Sequence, residues 1–242
     1  MAGSTLVPLI SRRAAPAFLR GRGSNVITTT TRQASYRLHS GNGRGIDPKT
    51  VVIGLMGVNG CVYLGWQAAE SNRALYRFMI KNFTVSKDGV MRRGRVHTLV
   101  TSMFSHQSGM HLAVNCFSMY FFGIEMLGVL GIVRFLQLYL GGGIFSSGCH
   151  MAFQGQMPGL GASGAVYAVM INSIVMFPYK TILLYGIIPM PAFGLGLLLI
   201  GSDIFGAQRG MGSSNVGHAA HLGGAAFGAG FYALRRGGKF LR

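Results

Sequence analysis

Residues 220–228 read A-H-L-G-G-A-A-F-G, and this stretch decides how the chain packs. Its first residue, Gly224 and Gly228 recur every four positions, so these small residues share one face of a helix. A stripe of small residues lets two membrane helices pack with their backbones close together. We expect the partner to be the helix face that carries Gly164 and Ala168. Such packing leaves the histidine of the stretch at the contact between two helices.

The composition is that of a membrane protein rather than a soluble one. Of 242 residues, 50% are hydrophobic and only 11% are charged, and the mean hydropathy is +0.40. A soluble domain has about 25% charged residues, and disordered chains have low hydrophobicity. The three cysteines show no CxxC spacing, so neither a disulfide framework nor a zinc ribbon is indicated. The prediction is an all-α polytopic membrane protein with a net charge of +17.

Residues 1–45 differ from the rest of the chain because they are rich in Arg, Ser and Thr, and the first acidic residue is Asp47. This composition is typical of an organelle transit peptide, and residues 6–10 are too short for the apolar part of a secretory signal. A disordered basic tail that binds anionic lipid is the alternative. We expect this tail to precede a membrane core at 46–236 and a basic C-terminal tail at 237–242. The expected location is the mitochondrial inner membrane, with a plastid membrane as the alternative.

Six apolar stretches are candidate membrane spans, since a spanning helix needs about 20 mostly apolar residues. They cover approximately residues 51–69, 98–123, 127–145, 162–177, 181–201 and 216–234. Between the first two spans, residues 70–97 mix apolar and basic side chains, which predicts a helix in the lipid headgroup region.

The fourth span opens with Gly161-Ala-Ser163-Gly164, which places a serine at a helix N-terminus between residues that lack bulk. Glycines let the backbone turn sharply and let a substrate carbonyl approach closely. Unpaired N–H groups and the positive end of the helix dipole favour an oxyanion at this position. Serine and glycine are also common packing residues in membrane helices, so the motif alone leaves that alternative open.

A nucleophilic serine needs a base within hydrogen-bond reach, and histidine is the usual one. His221 stands directly beside the small-residue stripe, so we predict that it is the base for Ser163. His218, one turn earlier, is a rival base or a histidine that bonds a neighbouring carbonyl. Tyr167 follows Ser163 by one turn on the same face, so its ring can stack on His221 or serve ordinary aromatic packing.

His111 and Asn115 lie four residues apart in the second span, and therefore on one helix face. Both side chains can donate hydrogen bonds to the negative oxygen of an acyl-transfer transition state. With the Ser163 backbone N–H they predict an oxyanion hole. A zinc site is not favoured, because the histidines on each of two helices lack a helical carboxylate partner. These histidines are His106, His111, His218 and His221.

The aspartates fall outside the six predicted spans. They are Asp47, Asp88 and Asp203. We therefore expect a Ser–His pair without a buried carboxylate, and neither a metal nor a cofactor.

Taken in order, these motifs resemble the rhomboid intramembrane serine proteases over residues 50–235. The matching motifs are Phe104-Ser-His106, His111-x-x-x-Asn115, Gly161-x-Ser163-Gly164 and Ala220-His221-x-x-Gly224-x-x-x-Gly228. The resemblance implies Ser163 as nucleophile, His221 as base and Tyr167 as support for the imidazole. It implies an oxyanion hole of His111, Asn115 and the Ser163 amide. It also implies a six-helix bundle with a water-filled cavity, and single-pass membrane proteins as substrates.

The sequence departs from the family pattern in two places. Many members carry a Trp-Arg pair in the first loop, where this chain has His97-Thr98. Mitochondrial members of the presenilin-associated type add a helix before the core, whereas this chain has no apolar span before Val51, so we expect the plain six-helix form.

The predicted activity is hydrolysis of a peptide bond in or near a membrane span, through an acyl-enzyme. A catalytically inactive relative that binds membrane clients is the alternative. A transporter is not favoured, because the sequence shows no matching halves. The expected partners are membrane-protein substrates and the lipid bilayer, with no nucleic acid; the oligomeric state stays open.

Overall fold

The computed structural model describes residues 47–153, 157–184, 187–208 and 217–237, and these residues are mostly α-helical. The predicted tail at 1–45 and residues 238–242 of the predicted C-terminal tail lie outside the described residues. The first helices are α1 (Pro48–Ala69), α2 (Arg73–Phe83), α3 (Thr98–Thr101), α4 (Gly109–Ser118) and α5 (Ile124–Leu130). The later elements are α6 (Ile132–Phe153), α7 (Ser163–Met176), β1 (Thr181–Leu184), β2 (Ile188–Pro191), α8 (Ala192–Gln208) and α9 (His218–Arg236).

Two helical stretches of the described chain are long and apolar enough to cross a bilayer. They are Lys49–Ala69 and Gly109–Leu130. The second is a continuous rod, because a five-residue turn of π-helix at Met119–Gly123 joins α4 to α5. Apart from the short hairpin β1–β2, the architecture is that of an all-α membrane protein.

The α1–α2 pair forms a separate packing unit beside the main core. Asp47 caps α1 by accepting a hydrogen bond from Lys49 N at 2.9 Å. Trp66 of α1 packs with Met79 of α2, and its indole Nε1 donates to Ser105 Oγ at 2.6 Å. The prediction of a helix between residues 70 and 97 is confirmed by α2; its depth in a bilayer stays a prediction.

The predicted bounds of the second and third spans were wrong. The second was expected to start at Thr98, but α3 and a 3₁₀ turn end at Phe104, and α4 begins only at Gly109. Ser108 caps α4, and an N-cap residue with extended backbone interrupts a helix. The second span then continues to Leu130 rather than 123, because Gly131 has a φ of 74° and ends the helix. The helix in the place of the third predicted span is α6, which covers 132–153 instead of 127–145.

The fifth predicted span, 181–201, was also misplaced. Its first part is the antiparallel hairpin, with Thr181 opposite Pro191 and Leu184 opposite Ile188. Prolines at 189 and 191 lack the N–H that a helix interior needs, so no helix can run through them undisturbed. The helix α8 starts after them and extends to Gln208.

The helices α6, α7 and α9 pack closely against one another. A Cβ at Gly224 would collide with the carbonyl of Gly164, and one at Gly228 with the carbonyl of Ala168. Asn172 of α7 also donates from Nδ2 to the Gly228 carbonyl at 3.0 Å. The backbones of α7 and α9 are therefore in direct contact along the small-residue stripe. This contact fixes the positions of the side chains at the N-terminal ends of the two helices.

Candidate functional site

The loop before α7 is held by backbone hydrogen bonds on both sides. Gly159 exchanges two bonds of 2.8 Å with Val85, which follows α2, and Gly161 N donates to Ser102 O at 2.9 Å. Ala162 N donates to the ring nitrogen Nε2 of His106 at 3.3 Å. These bonds place Ser163 as the first residue of α7, where the dipole and unpaired N–H groups favour negative charge.

Ser163 and His221 face each other across the α7–α9 contact. Ser163 Oγ lies 2.9 Å from His221 Nε2. The Tyr167 ring stacks on the imidazole with a centroid distance of 4.4 Å and an interplanar angle of 17°. The structure therefore brings together three of the predicted site residues, two from α7 and one from α9.

His111 reaches the same place from α4. A Cβ at Gly161 would lie 2.7 Å from His111 Cε1 and 3.7 Å from Ser163 Oγ. The φ of Gly161 is 130°, a conformation that side chains disfavour. Gly161 is thus required twice, by its backbone conformation and by the imidazole that fills the space beside it.

Asn115 lies one turn after His111 in α4. It is buried, its Nδ2 donates to the carbonyl of His111 at 2.8 Å, and it lines a small neighbouring cavity with Tyr139 and Ala162. One amide hydrogen is therefore used within its own helix, and the second is left for another acceptor.

A cavity of about 690 Å³ opens over the serine. Such a volume lies within the range of about 300–1,000 Å³ that is usual for ligand sites. Ser163, His221 and His111 line one part of it, and Tyr76 and Ile80 of α2 line another. The cavity is therefore large enough to hold a ligand between α2 and the serine.

The expectation that the site lacks a buried carboxylate was wrong. Asp203 lies within α8 and is only 3% exposed. Its Oδ1 lies 3.0 Å from His221 Nδ1 and 2.8 Å from His218 Nδ1. The error follows from the misplaced fifth span, which ended at Gly201 because the apolar run stops there. The proline pair in β2, which shifts the helix toward the C-terminus, is the sequence signal that identifies Asp203 as helical.

His218 and His221 differ in what their rings meet. Both rings contact Asp203 through Nδ1, but His221 is the one that reaches the Ser163 hydroxyl through its other nitrogen. The ring of His218 packs against Gly206, where a Cβ would lie 2.9 Å from its Nδ1. Of the two histidines, His221 is the one with the geometry of a base for Ser163.

Beyond its place in the family motif and among the histidines weighed for zinc, His106 has no predicted role, and His150 was not predicted as a site residue. His106 is fully buried; burial first, and the neighbouring His111 second, lower its pKa to about 4. Its ring is therefore neutral, and Nε2 can accept the hydrogen bond from Ala162 N that supports the start of α7. His150 of α6 lines the cavity, and its Nε2 forms a hydrogen bond of 2.9 Å with the Met157 carbonyl.

In the described ranges, no group of His, Cys, Asp and Glu is arranged to hold a metal ion.

The Rhomboid domain model matches residues 93–237. This range includes all the residues described for the candidate site except Tyr76, Ile80 and Val85. The chain belongs to the rhomboid family. Rhomboid sequences of organelles are similar to it over most of its length. RHOMBOID-like protein 12, mitochondrial, of Arabidopsis thaliana is 37% identical over 215 residues, which are 81% of this chain and 62% of that protein.

Two other relatives are more distant. Presenilin-associated rhomboid-like protein A, mitochondrial, of Danio rerio is 32% identical over 73% of this chain and 45% of its own length. Rhomboid-like protein 16, chloroplastic, of Arabidopsis thaliana is 29% identical over 78% of this chain and 63% of its own length. This chain thus spans between about half and two thirds of each relative. The relatives of higher identity are mitochondrial, and this rhomboid is a multi-pass protein of a mitochondrial membrane.

Proposed function

We propose that this rhomboid is an intramembrane serine endopeptidase that cleaves single-pass membrane proteins in or near their transmembrane segment. The observation that carries the proposal is the 2.9 Å distance between Ser163 Oγ and His221 Nε2 beneath a cavity of about 690 Å³. A serine and a histidine at this distance form the arrangement of an activated nucleophile and its base.

In the proposed reaction, His221 Nε2 accepts the proton of Ser163 as Oγ attacks the substrate carbonyl. The carbonyl carbon becomes tetrahedral, and its oxygen carries the negative charge. His221 then gives the proton to the leaving nitrogen, and the C–N bond breaks to leave an acyl-enzyme. Water from the cavity hydrolyses the ester, with His221 again as the base, and no cofactor takes part.

The developing oxyanion needs donors that are already in place. The Ser163 amide at the start of α7, a ring N–H of His111 and the remaining amide hydrogen of Asn115 are the donors that we propose. Gly161 leaves the space in which the carbonyl oxygen and the His111 ring can meet, and the Tyr167 ring keeps His221 in one orientation.

The substrate must present an extended backbone to this site. A transmembrane helix uses its carbonyls in internal hydrogen bonds, so local unwinding has to precede attack. Gly, Pro or polar residues near the cleaved bond ease that unwinding. We propose a six-helix bundle in the mitochondrial inner membrane, with α1, α4–α5, α6, α7, α8 and α9 as the spans, so that the substrate enters from the lipid bilayer.

The test uses the purified full chain in liposomes with a single-pass model substrate that has a glycine near its expected cleavage site. We expect cleavage by the wild type, and Ser163→Ala should lower turnover by at least about 1,000-fold without changing thermal stability. Ser71→Ala, the same change at an exposed serine, is the matched control and should cleave like the wild type.

The alternative is a rhomboid-like protein that binds membrane clients without cleaving them. Such a protein would capture the substrate in co-purification, and Ser163→Ala would capture it equally well, with intact substrate in both cases. Cleavage that persists in Ser163→Ala would contradict the assignment of the nucleophile.

A further inference from the structure

The carboxylate of Asp203 stands out among the acidic residues of the chain. The chain has only 5 of them, and Asp203 is the buried one. The others are Asp47, Glu70, Asp88 and Glu125. A buried carboxylate is costly unless donors surround it, so its place next to the candidate site calls for a physical reason.

The hydrogen-bond geometry supplies that reason. An ionised carboxylate can only accept, so each imidazole nitrogen that contacts Oδ1 must carry the hydrogen. The contact of 3.0 Å therefore puts the hydrogen of His221 on Nδ1. This leaves the lone pair of Nε2 directed at Ser163 Oγ, 2.9 Å away. Among the two neutral forms of the ring, Asp203 selects the one that can act as a base.

His218 completes this arrangement. Its Nδ1 donates to the same oxygen at 2.8 Å, so two N–H groups from consecutive turns of α9 hold one oxygen of an α8 side chain. Because Gly206 has no side chain, the His218 ring can lie directly against α8. His218 thus fixes the carboxylate of Asp203, and this carboxylate in turn orients His221.

We propose that Asp203 is a positioning residue for His221 and that His218 is the residue that fixes Asp203; this inference rests on the proposed proteolytic function. When His221 takes the proton of Ser163, the ring becomes positively charged and the nearby carboxylate stabilises it. The Nδ1 hydrogen stays on His221, and Asp203 remains ionised throughout.

The kinetic test compares Asp203→Asn with the wild type in liposomes. An asparagine can donate to Nδ1 and thereby hold the ring in the form that cannot accept from Ser163. We expect kcat to fall by at least about 100-fold with KM changed less than about twofold. Asp88→Asn makes the same change at an exposed position and should leave both constants unchanged. A folded Asp203→Asn protein that keeps more than half of the wild-type kcat would overturn the proposal.

A spectroscopic test separates this proposal from the proposed function and needs no folded Asp203 variant. Solid-state NMR of the wild type labelled with ¹⁵N-histidine, with the His221 signals assigned by their loss in His221→Gln, reports which ring nitrogen carries the hydrogen. We expect it on Nδ1 at pH 8, whether or not the protein cleaves the model substrate. A hydrogen on Nε2 would refute the role of Asp203, whereas absent cleavage with the hydrogen on Nδ1 would refute only the proposed function.

Discussion

The two contacts that α9 makes with α7 and α8 differ in kind. The backbone of α9 lies directly against that of α7, because there is no room for a Cβ at Gly224 or Gly228. Against α8, polar side chains meet, with Asp203 between two histidines. The first contact sets the distance between Ser163 and His221, and we propose that the second determines which neutral form of the imidazole faces the serine. Disruption of the first should therefore affect folding and activity together, and disruption of the second should affect mainly activity.

The largest effect is expected from Gly224→Val. The added carbons collide with the Gly164 carbonyl, and a backbone group in a packed core cannot move aside. We expect a loss of about 3 kcal/mol or more in the free energy of unfolding, and no measurable cleavage. Denaturant titration in micelles measures the first and the liposome assay the second.

Gly230→Val is the control for this change, because Gly230 lies in the same helix with nothing within 4 Å of its missing Cβ. It should remain active and nearly as stable as the wild type. Equal damage from both variants would mean that helix propensity, rather than the contact with α7, determines the outcome.

Gly161→Ala should impair the α7 side of the site with less effect on folding. The methyl group would lie 2.7 Å from His111 Cε1, and the φ of 130° strains any residue with a side chain. We expect kcat to fall by about 100-fold, because His111, a proposed oxyanion donor, is displaced. Gly131 also has a positive φ, but the space around it is open. Gly131→Ala should therefore lower the stability without lowering kcat per folded molecule.

His106 should make stability depend on pH. Its folded pKa is about 4, below the unfolded value of about 6.5, so the unfolded chain binds the proton first as the pH falls. The contribution of His106 is complete above pH 6.5 and is lost progressively down to about pH 4, with about 2 kcal/mol lost between pH 7 and pH 5. His106→Gln should lack this part of the slope in denaturant titrations, while His97→Gln, a change at an exposed histidine, should retain it. An unchanged slope in His106→Gln would contradict the neutral, buried ring.

Gly206→Ala should have the smallest effect on activity, because the substitution changes only the contact between α8 and α9. The methyl group would collide with the His218 ring, whereas we expect Asp203 and His221 to stay in contact. We expect kcat to fall about fivefold, equivalent to about 1 kcal/mol, with the stability unchanged or slightly raised. Gly201→Ala on the same helix, where the space is open, should show no loss. A stability loss without a kcat change would assign His218 to packing alone.

The same difference between the two contacts explains what the sequence could reveal. The small-residue stripe and the serine motif lie within single helices, so their spacing indicates which faces meet and which side chains they carry. The start of α8 depends on a hairpin whose strands pair through backbone hydrogen bonds, and hydropathy does not register these. Because residues 181–191 are as apolar as a span, hydropathy places the helix too early and leaves Asp203 outside the predicted span.

The breaks around α4 were missed for a related reason. Ser105 and His106 are fully buried in the structure, so a polar stretch inside an apolar run does not show where a helix stops. Their burial depends on partners that are distant in sequence, Trp66 for the serine and Ala162 for the histidine. Such long-range pairs are set by the tertiary fold, and one sequence without its fold does not identify them.

The most direct test of the Ser163–His221 pair is covalent labelling by a fluorophosphonate, mapped by mass spectrometry of the purified protein in liposomes. We expect one modified residue, Ser163, in the wild type and in Asp88→Asn, and no modification in His221→Ala. Labelling of another serine, or labelling of Ser163 at the wild-type rate in His221→Ala, would contradict it.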